Sequence, residues 1–109
     1  MLAVSYAKEI DDDLTEAARW YYEQRPDLGE DFLRDFQVTA GVIATVGQAC
    51  RPVVQDYRRV HFKNYPYAVF FVVYGDRAVV YLVIHTVVYL VIHTSRDPAL
   101  IARRLGQRS

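Results

Sequence analysis

Apolar residues fall in two different rhythms along this chain. Leu14, Ala17, Ala18, Tyr21 and Tyr22 stand at i, i+3, i+4, i+7 and i+8, one face of a helix. A second helical stripe carries Leu33, Phe36, Ala40 and Ile43, with Phe32, Val42 and Val46 beside it. Arg25-Pro26-Asp27 separates the two, because Pro26 disfavours α geometry at Arg25. Asp13-Leu14-Thr15-Glu16 has the spacing of a capping box for the first helix, although a start some residues earlier is also open, and Asp27 with Glu30 offers one for the second. Acidic residues crowd the first turns, where they suit the helix dipole. The second helix runs out by Gly47. So short a connection predicts two antiparallel helices, an α-hairpin.

The other rhythm is that of strands. Leu2 to Tyr6 alternates loosely and predicts a short first strand. Val53 to Phe62 predicts another, followed by a turn at Lys63-Asn64-Tyr65-Pro66. Tyr67 to Tyr74 is apolar on both faces and reads as a central strand. Gly75-Asp76 is a two-residue hairpin signal, and Arg77 opens the last strand. Ser95-Arg96-Asp97-Pro98 ends it, and Ala99 to Leu105 forms a short basic tail suited to a helix. The predicted fold class is α+β in the order β-α-α-β-β-β. A helical hairpin packs on an antiparallel sheet whose last three strands form a meander, all in one domain spanning residues 1–109.

The last strand is written twice, as VVYLVIHT over Val79–Thr86 and again over Val87–Thr94. Two copies at so short a period exclude a solenoid, so the pattern reads as a tandem duplication. A single copy would leave 109 − 8 = 101 residues. Eight is even, so simple alternation puts Val79, Tyr81, Val83 and His85 on one face with Val87, Tyr89, Val91 and His93. Val80, Leu82, Ile84 and Thr86 take the other face with their own copies. Sixteen residues would span about 53 Å, against a radius of gyration of about 13 Å for a domain this size. The extra copy must bulge out, pair with another chain, or aggregate. Unpaired backbone and exposed Val, Leu and Ile favour pairing, so a strand-exchanged homo-oligomer is expected. A strictly monomeric protein by light scattering would contradict this.

Composition narrows the class. Hydrophobic residues make up 52% of the chain, ample for one core. Cys50 is the single cysteine and cannot form an internal disulfide, which fits a reducing, cytoplasmic compartment. It reads as a small apolar side chain near a helix end. Met1 to Tyr6 is too short for a signal peptide. The apolar run from Ala78 to Ile92 is broken by His85 and Thr86 and reads as strand, with no membrane segment. The net charge of zero conceals an asymmetry. Residues 1–35 hold four basic and ten acidic side chains, a balance of −6; residues 51–109 hold nine and three, a balance of +6. The basic half suits an acidic partner or a phosphate backbone, unless each sign only solvates its own surface. No metal-ligand spacing, phosphate-cradling glycine loop or cofactor signature appears; His85 and His93 are copies of each other.

Several strings resemble the RelE/ParE superfamily of toxins. They are Asp13-Leu14-x-Glu16-Ala17-Ala18-x-Trp20-Tyr21, Pro26-x-Leu28-Gly29-x-Asp31-Phe32-Leu33, Tyr57-Arg58-Arg59 with Tyr65-Pro66-Tyr67, and His93-Thr94-Ser95-Arg96-Asp97-Pro98. They cover the chain from about Val4 to Pro98. The resemblance implies the toxin of a bacterial type II toxin–antitoxin system, the kind of pair that serves plasmid stabilisation. A cognate antitoxin would hold it silent. RelE-like members cut mRNA on the ribosome, whereas ParE-like members poison DNA gyrase. Shared fold does not choose between them.

Cutting RNA through its 2′-OH needs a base, an acid and cations for the phosphorane. Arg58, Arg59, His61, Lys63, His93 and Arg96 are available. Alternation puts Arg59 and His61 on one strand face and Arg58 on the other. On the mRNase reading Arg59, His93 and Arg96 would be catalytic. On the structural reading Arg96 and Asp97 pair or cap the last strand, and His93 only packs. RelE-like enzymes are typically strongly basic with a C-terminal catalytic aromatic; this chain is neutral, and Ala99 to Ser109 holds no aromatic residue. The expectation is therefore a ParE-like binder of DNA gyrase, with Arg58, Arg59, Lys63, Arg96, Arg103 and Arg104 meeting the target. The alternatives are an mRNA endoribonuclease and an inactive module disarmed by the duplication, whether that arose by selection or by design.

Overall fold

The computed structural model describes residues 1–87 and 105–106. Its elements run β1 (Ala3–Tyr6), α1 (Ile10–Gln24), α2 (Pro26–Val46), a 3-10 turn (Gly47–Ala49), β2 (Arg58–His61), β3 (Tyr67–Tyr74) and β4 (Arg77–His85). This is the α+β order expected. The sheet order is β1-β4-β3-β2. β2, β3 and β4 form the antiparallel meander, but β1 lies parallel to β4, so the sheet is mixed rather than antiparallel. Parallel neighbours need a long crossover, and the helical layer is part of that connection.

Both expected capping boxes are absent. α1 begins at Ile10, three residues before Asp13, with Glu9 as N-cap and no side-chain cap. The Asp13 carboxylate instead accepts the Val83 N–H at 3.1 Å. α2 begins at Pro26, whose fixed φ and missing N–H suit the first helical position. Asp27 takes the Arg25 guanidinium in a two-pronged pair at 3.0 and 2.8 Å. The expected strand from Val53 to Phe62 shrinks to four residues. Gln55 turns with φ 49°, and a bridge between Val54 and Tyr57 closes that turn before β2 starts.

Apolar packing lies on both sides of the sheet. On the helical side Ile10, Ala18, Phe32, Phe36 and Ile43 meet Val69, Phe71, Ala78, Val80 and Val83. Phe32 is the hub: its ring lies 5.3 Å from Tyr21, 5.3 Å from Phe62, 5.6 Å from Tyr65 and 5.0 Å from Tyr67. Val42 and Val46, expected beside the α2 stripe, are exposed. On the far face Ala68, Phe70, Val72, Leu82 and Ile84 pack with Tyr57 and Leu105. The Tyr57 hydroxyl donates to the Leu105 carbonyl at 3.4 Å.

β4 departs from simple alternation. Phe70 pairs Leu82 but Phe71 pairs Val80, so Tyr81 is an extra residue, a β-bulge. Val80 and Val83 therefore share the helical side, while Tyr81, Leu82 and Ile84 share the far face. The expected grouping of Val79, Tyr81, Val83 and His85 on one face fails at this bulge. The Tyr81 hydroxyl lies 3.0 Å from that of Tyr74, and this bond, with burial, pushes the Tyr81 phenol up to about 12.

The strand closes at His85. The Thr86 N–H and hydroxyl both donate to the Pro66 carbonyl, at 2.8 and 3.1 Å, and residues 86–87 adopt helical geometry. The first copy of the repeat fills the sheet, and β4 does not run on as one doubled strand. Residues 88–94 of the second copy lie outside the described residues, as does the tail from Ala99 up to Leu105; Leu105 and Gly106 are helical. Among the described residues no helix is long and apolar enough to cross a membrane.

Candidate functional site

β2 and the turn after it carry the cations singled out by sequence. Arg58 and Val60 stand opposite Phe71 and Val69 on the helical side, whereas Arg59 and His61 stand opposite Phe70 and Ala68 on the far face. Alternation gave this division correctly. Arg58 is engaged within the fold: its Nη1 donates to the carbonyls of Gly47 at 3.0 Å and Gln48 at 2.8 Å. It thus braces the end of α2 and its 3-10 turn, sharing the Gly47 carbonyl with the Cys50 N–H, which donates to it at 3.2 Å. Its buried Nε has no partner among the described residues.

His61 follows on the far face and is exposed. Burial of part of its ring, then the nearby Arg59 charge, pushes its pKa below the ordinary imidazole value. A histidine held neutral in the fold adds stability that is fully present above its unfolded pKa of about 6.5. That contribution is lost as pH falls through the depressed folded value. The expected result is that Arg59→Gln moves the His61 titration upward in histidine-ring NMR. An unchanged titration would show that Arg59 does not act on it.

Lys63 is exposed on the turn between β2 and β3, and the turn is held from beneath. The Asp35 carboxylate, only 4% exposed, accepts three consecutive backbone N–H groups. They come from Lys63 at 3.2 Å, Asn64 at 2.8 Å and Tyr65 at 3.1 Å. Asp31, Arg34, Asp35, Lys63 and Tyr65 line a groove of 610 Å³ here, with Arg34 paired to Asp31. Sequence reasoning missed Asp35. The signal was a carboxylate between Phe32 and Thr39 on the buried face of α2.

A second concavity of 790 Å³ lies between α1 and the far end of β4. α1 contributes Asp13, Glu16, Trp20 and Tyr21; the sheet contributes Tyr67 and His85. Trp20 is 58% exposed and sets its edge against Tyr21 at 5.1 Å; Tyr67 meets His85 at 5.0 Å. Burial, then Tyr21 and Glu16, raises the Tyr67 phenol pKa. Sequence reasoning placed Trp20 only within a resemblance. It lies four residues after Glu16 and seven after Asp13, so the three share one helical face.

His93, Arg96, Arg103 and Arg104 lie outside the described residues. Among the described residues no group of His, Cys, Asp and Glu is placed to hold a metal ion. Against known proteins, the chain matches no family model and no curated protein.

Proposed function

We propose that this chain is the toxin of a bacterial type II toxin–antitoxin pair, acting in the cytoplasm. In this reading it is ParE-like: it arrests growth by binding DNA gyrase and is neutralised by a cognate antitoxin. The helical hairpin on a small sheet supports the reading, because three of the four resembling strings, those between Asp13 and Tyr67, fall on it in their expected order, while the fourth, His93 to Pro98, lies outside the described residues. The observation that carries the choice of binder over nuclease is the layout of cations. Arg59 and Lys63 stand on an edge strand and the turn after it, with the neutral His61 between them, and of the three only Lys63 lines a described groove. Cleavage needs base, acid and cation around one atom. Positive groups spaced along an edge suit an acidic protein surface.

A second reading has its own observation. β4 closes at His85, and Arg96 follows it by eleven residues where a single copy would put it three residues on. If Arg96 and the basic tail with Arg103 and Arg104 belong to the target surface, the duplication disarms the toxin. Both readings keep the strand-exchanged oligomer as the fate of the second copy.

The test compares this chain with one lacking residues 87–94. Each is expressed without antitoxin, followed by growth, DNA-damage response and gyrase supercoiling in vitro. The single-copy chain is expected to arrest growth and block supercoiling, and Arg59→Ala with Lys63→Ala is expected to abolish both effects. Cleavage of ribosome-bound message, lost on changing Arg59 or His93, would replace this reading with the endoribonuclease. Silence of both chains in every assay would leave the inert module.

A further inference from the structure

We infer that the slot between α1 and the end of β4 is a docking site for an extended, basic peptide segment of a partner protein. The first observation is an unfinished sheet edge. β1 pairs with β4 only as far as Tyr6 opposite Val80, and the last bond on that side runs from the Ala7 N–H to the Val80 carbonyl at 2.9 Å. β4 continues five residues further, to His85. Among the described residues β3 pairs with one side of that continuation, and no strand lies on the other, the side β1 has left. The Val83 N–H points into the slot, where the Asp13 carboxylate takes it at 3.1 Å. Alternation aims the backbone groups of His85 the same way. A strand edge of this kind is a template for an added strand, and five residues of it span about 17 Å.

The second observation is the chemistry of the wall. Asp13 and Glu16 supply carboxylates, while Trp20, Tyr21 and Tyr67 supply aromatic surface. Carboxylates beside aromatic faces suit a guanidinium or ammonium group. The charge of the surroundings agrees, since residues 1–35 carry a balance of −6. Asp13 stands in for the missing strand. When a peptide carbonyl takes over the Val83 N–H, Glu16 and the Asp13 carboxylate beside it meet the peptide's cation. No buried donor is left unpaired by the exchange.

A folded second copy of this chain fits the slot less well. Its basic edge is β2, but Arg58 ties β2 to Gly47 and Gln48, so that edge brings the end of its own helical layer with it. α1 already overhangs the slot on that side, as the Asp13 bond shows. A free extended segment carries no such layer. The site is independent of the toxin reading and is tested without it.

Trp20 is the only tryptophan and serves as the reporter. The full chain is titrated with a capped hexapeptide alternating valine and arginine. A saturable change in Trp20 emission is expected, weakened by added salt. The same peptide with N-methylated backbone, or with glutamate for arginine, is expected to bind at least about tenfold more weakly. Glu16→Gln leaves the Asp13 bond intact and is expected to weaken binding several-fold. Equal binding of the N-methylated or the glutamate peptide would overturn the site, as would no emission change. A rise in mass with matching emission change in the chain alone would assign the slot to a second copy instead.

Discussion

Replacing Asp35 with alanine is expected to remove about 3–4 kcal/mol of folding stability and to lower the melting temperature by roughly 10 °C or more. The carboxylate is nearly buried and holds three N–H groups in a row, those of Lys63, Asn64 and Tyr65. Bonds to a charged acceptor are worth about 1.5–3 kcal/mol each, and the exposed side of the turn lets water recover part of the loss. Asparagine keeps the shape but must turn its NH2 toward at least one of those donors, so Asp35→Asn is expected to fall between alanine and the parent. Thermal and urea melts of the two variants check this order. An alanine variant as stable as the parent would mean that the turn does not depend on the carboxylate. Freed from Asp35, the turn would also present Lys63 over a wider range of positions. Any partner that reads Lys63 should then bind more weakly, even where the variant remains folded.

Phe32→Ala is expected to cost about 4 kcal/mol. The ring is fully buried and contacts Tyr21 on α1, Phe62 after β2, Tyr65 on the turn and Tyr67 on β3. Rigid rings around a vacated centre collapse poorly, which places the change at the costly end of such truncations. Phe32→Leu keeps most of the volume and is expected to lose about 1–1.5 kcal/mol. Denaturant melts measure both, and a loss below 2 kcal/mol for alanine would mean that the cluster re-packs. Tyr21 and Tyr67 also line the slot beside β4, so Trp20 emission should change in the folded alanine variant. Asp35 and Phe32 both act on Tyr65, one through its N–H and one through its ring. The double variant should therefore lose less than the two single losses added together.

The parts of the fold legible in sequence were those set by periodicity. The stripe from Leu33 to Ile43 and the all-apolar Tyr67–Tyr74 place α2 and β3 directly. Gly75-Asp76 marks the hairpin, and Gly75 takes the positive φ of 62° that the turn demands. Elements decided by competition between local signals were misread. Asp13 looks like a cap from its neighbours, but a strand edge far along the chain offers it an N–H. Val53–Phe62 looks continuous until Gln55 turns. The bulge at Tyr81 has no local mark, because it answers a register set by β3. The cations of β2 were legible as residues and faces. That Arg58 serves the end of α2 was not, since its partners are backbone carbonyls. The slot was not legible either, because it exists only where β1 stops short of β4.

The tight turn at Gly75-Asp76 has one more consequence. The two copies of VVYLVIHT are identical, so the contacts made by the repeat itself prefer neither; the buried Ala78 before the first copy would give way to Thr86 before the second. What also differs is the distance each must travel to reach β3. The first copy follows a two-residue turn; the second would leave eight more residues in the loop. Closing that longer loop costs about 1.4 kcal/mol more. Synthesis adds a bias in time. A hairpin closes in about 1–10 μs, while a ribosome needs about a second to add eight residues. On the nascent chain the first copy is already seated when its rival is made. A chain refolded from denaturant presents both copies at once, and the shorter loop and the pairing of Arg77 and Ala78 remain to choose between them.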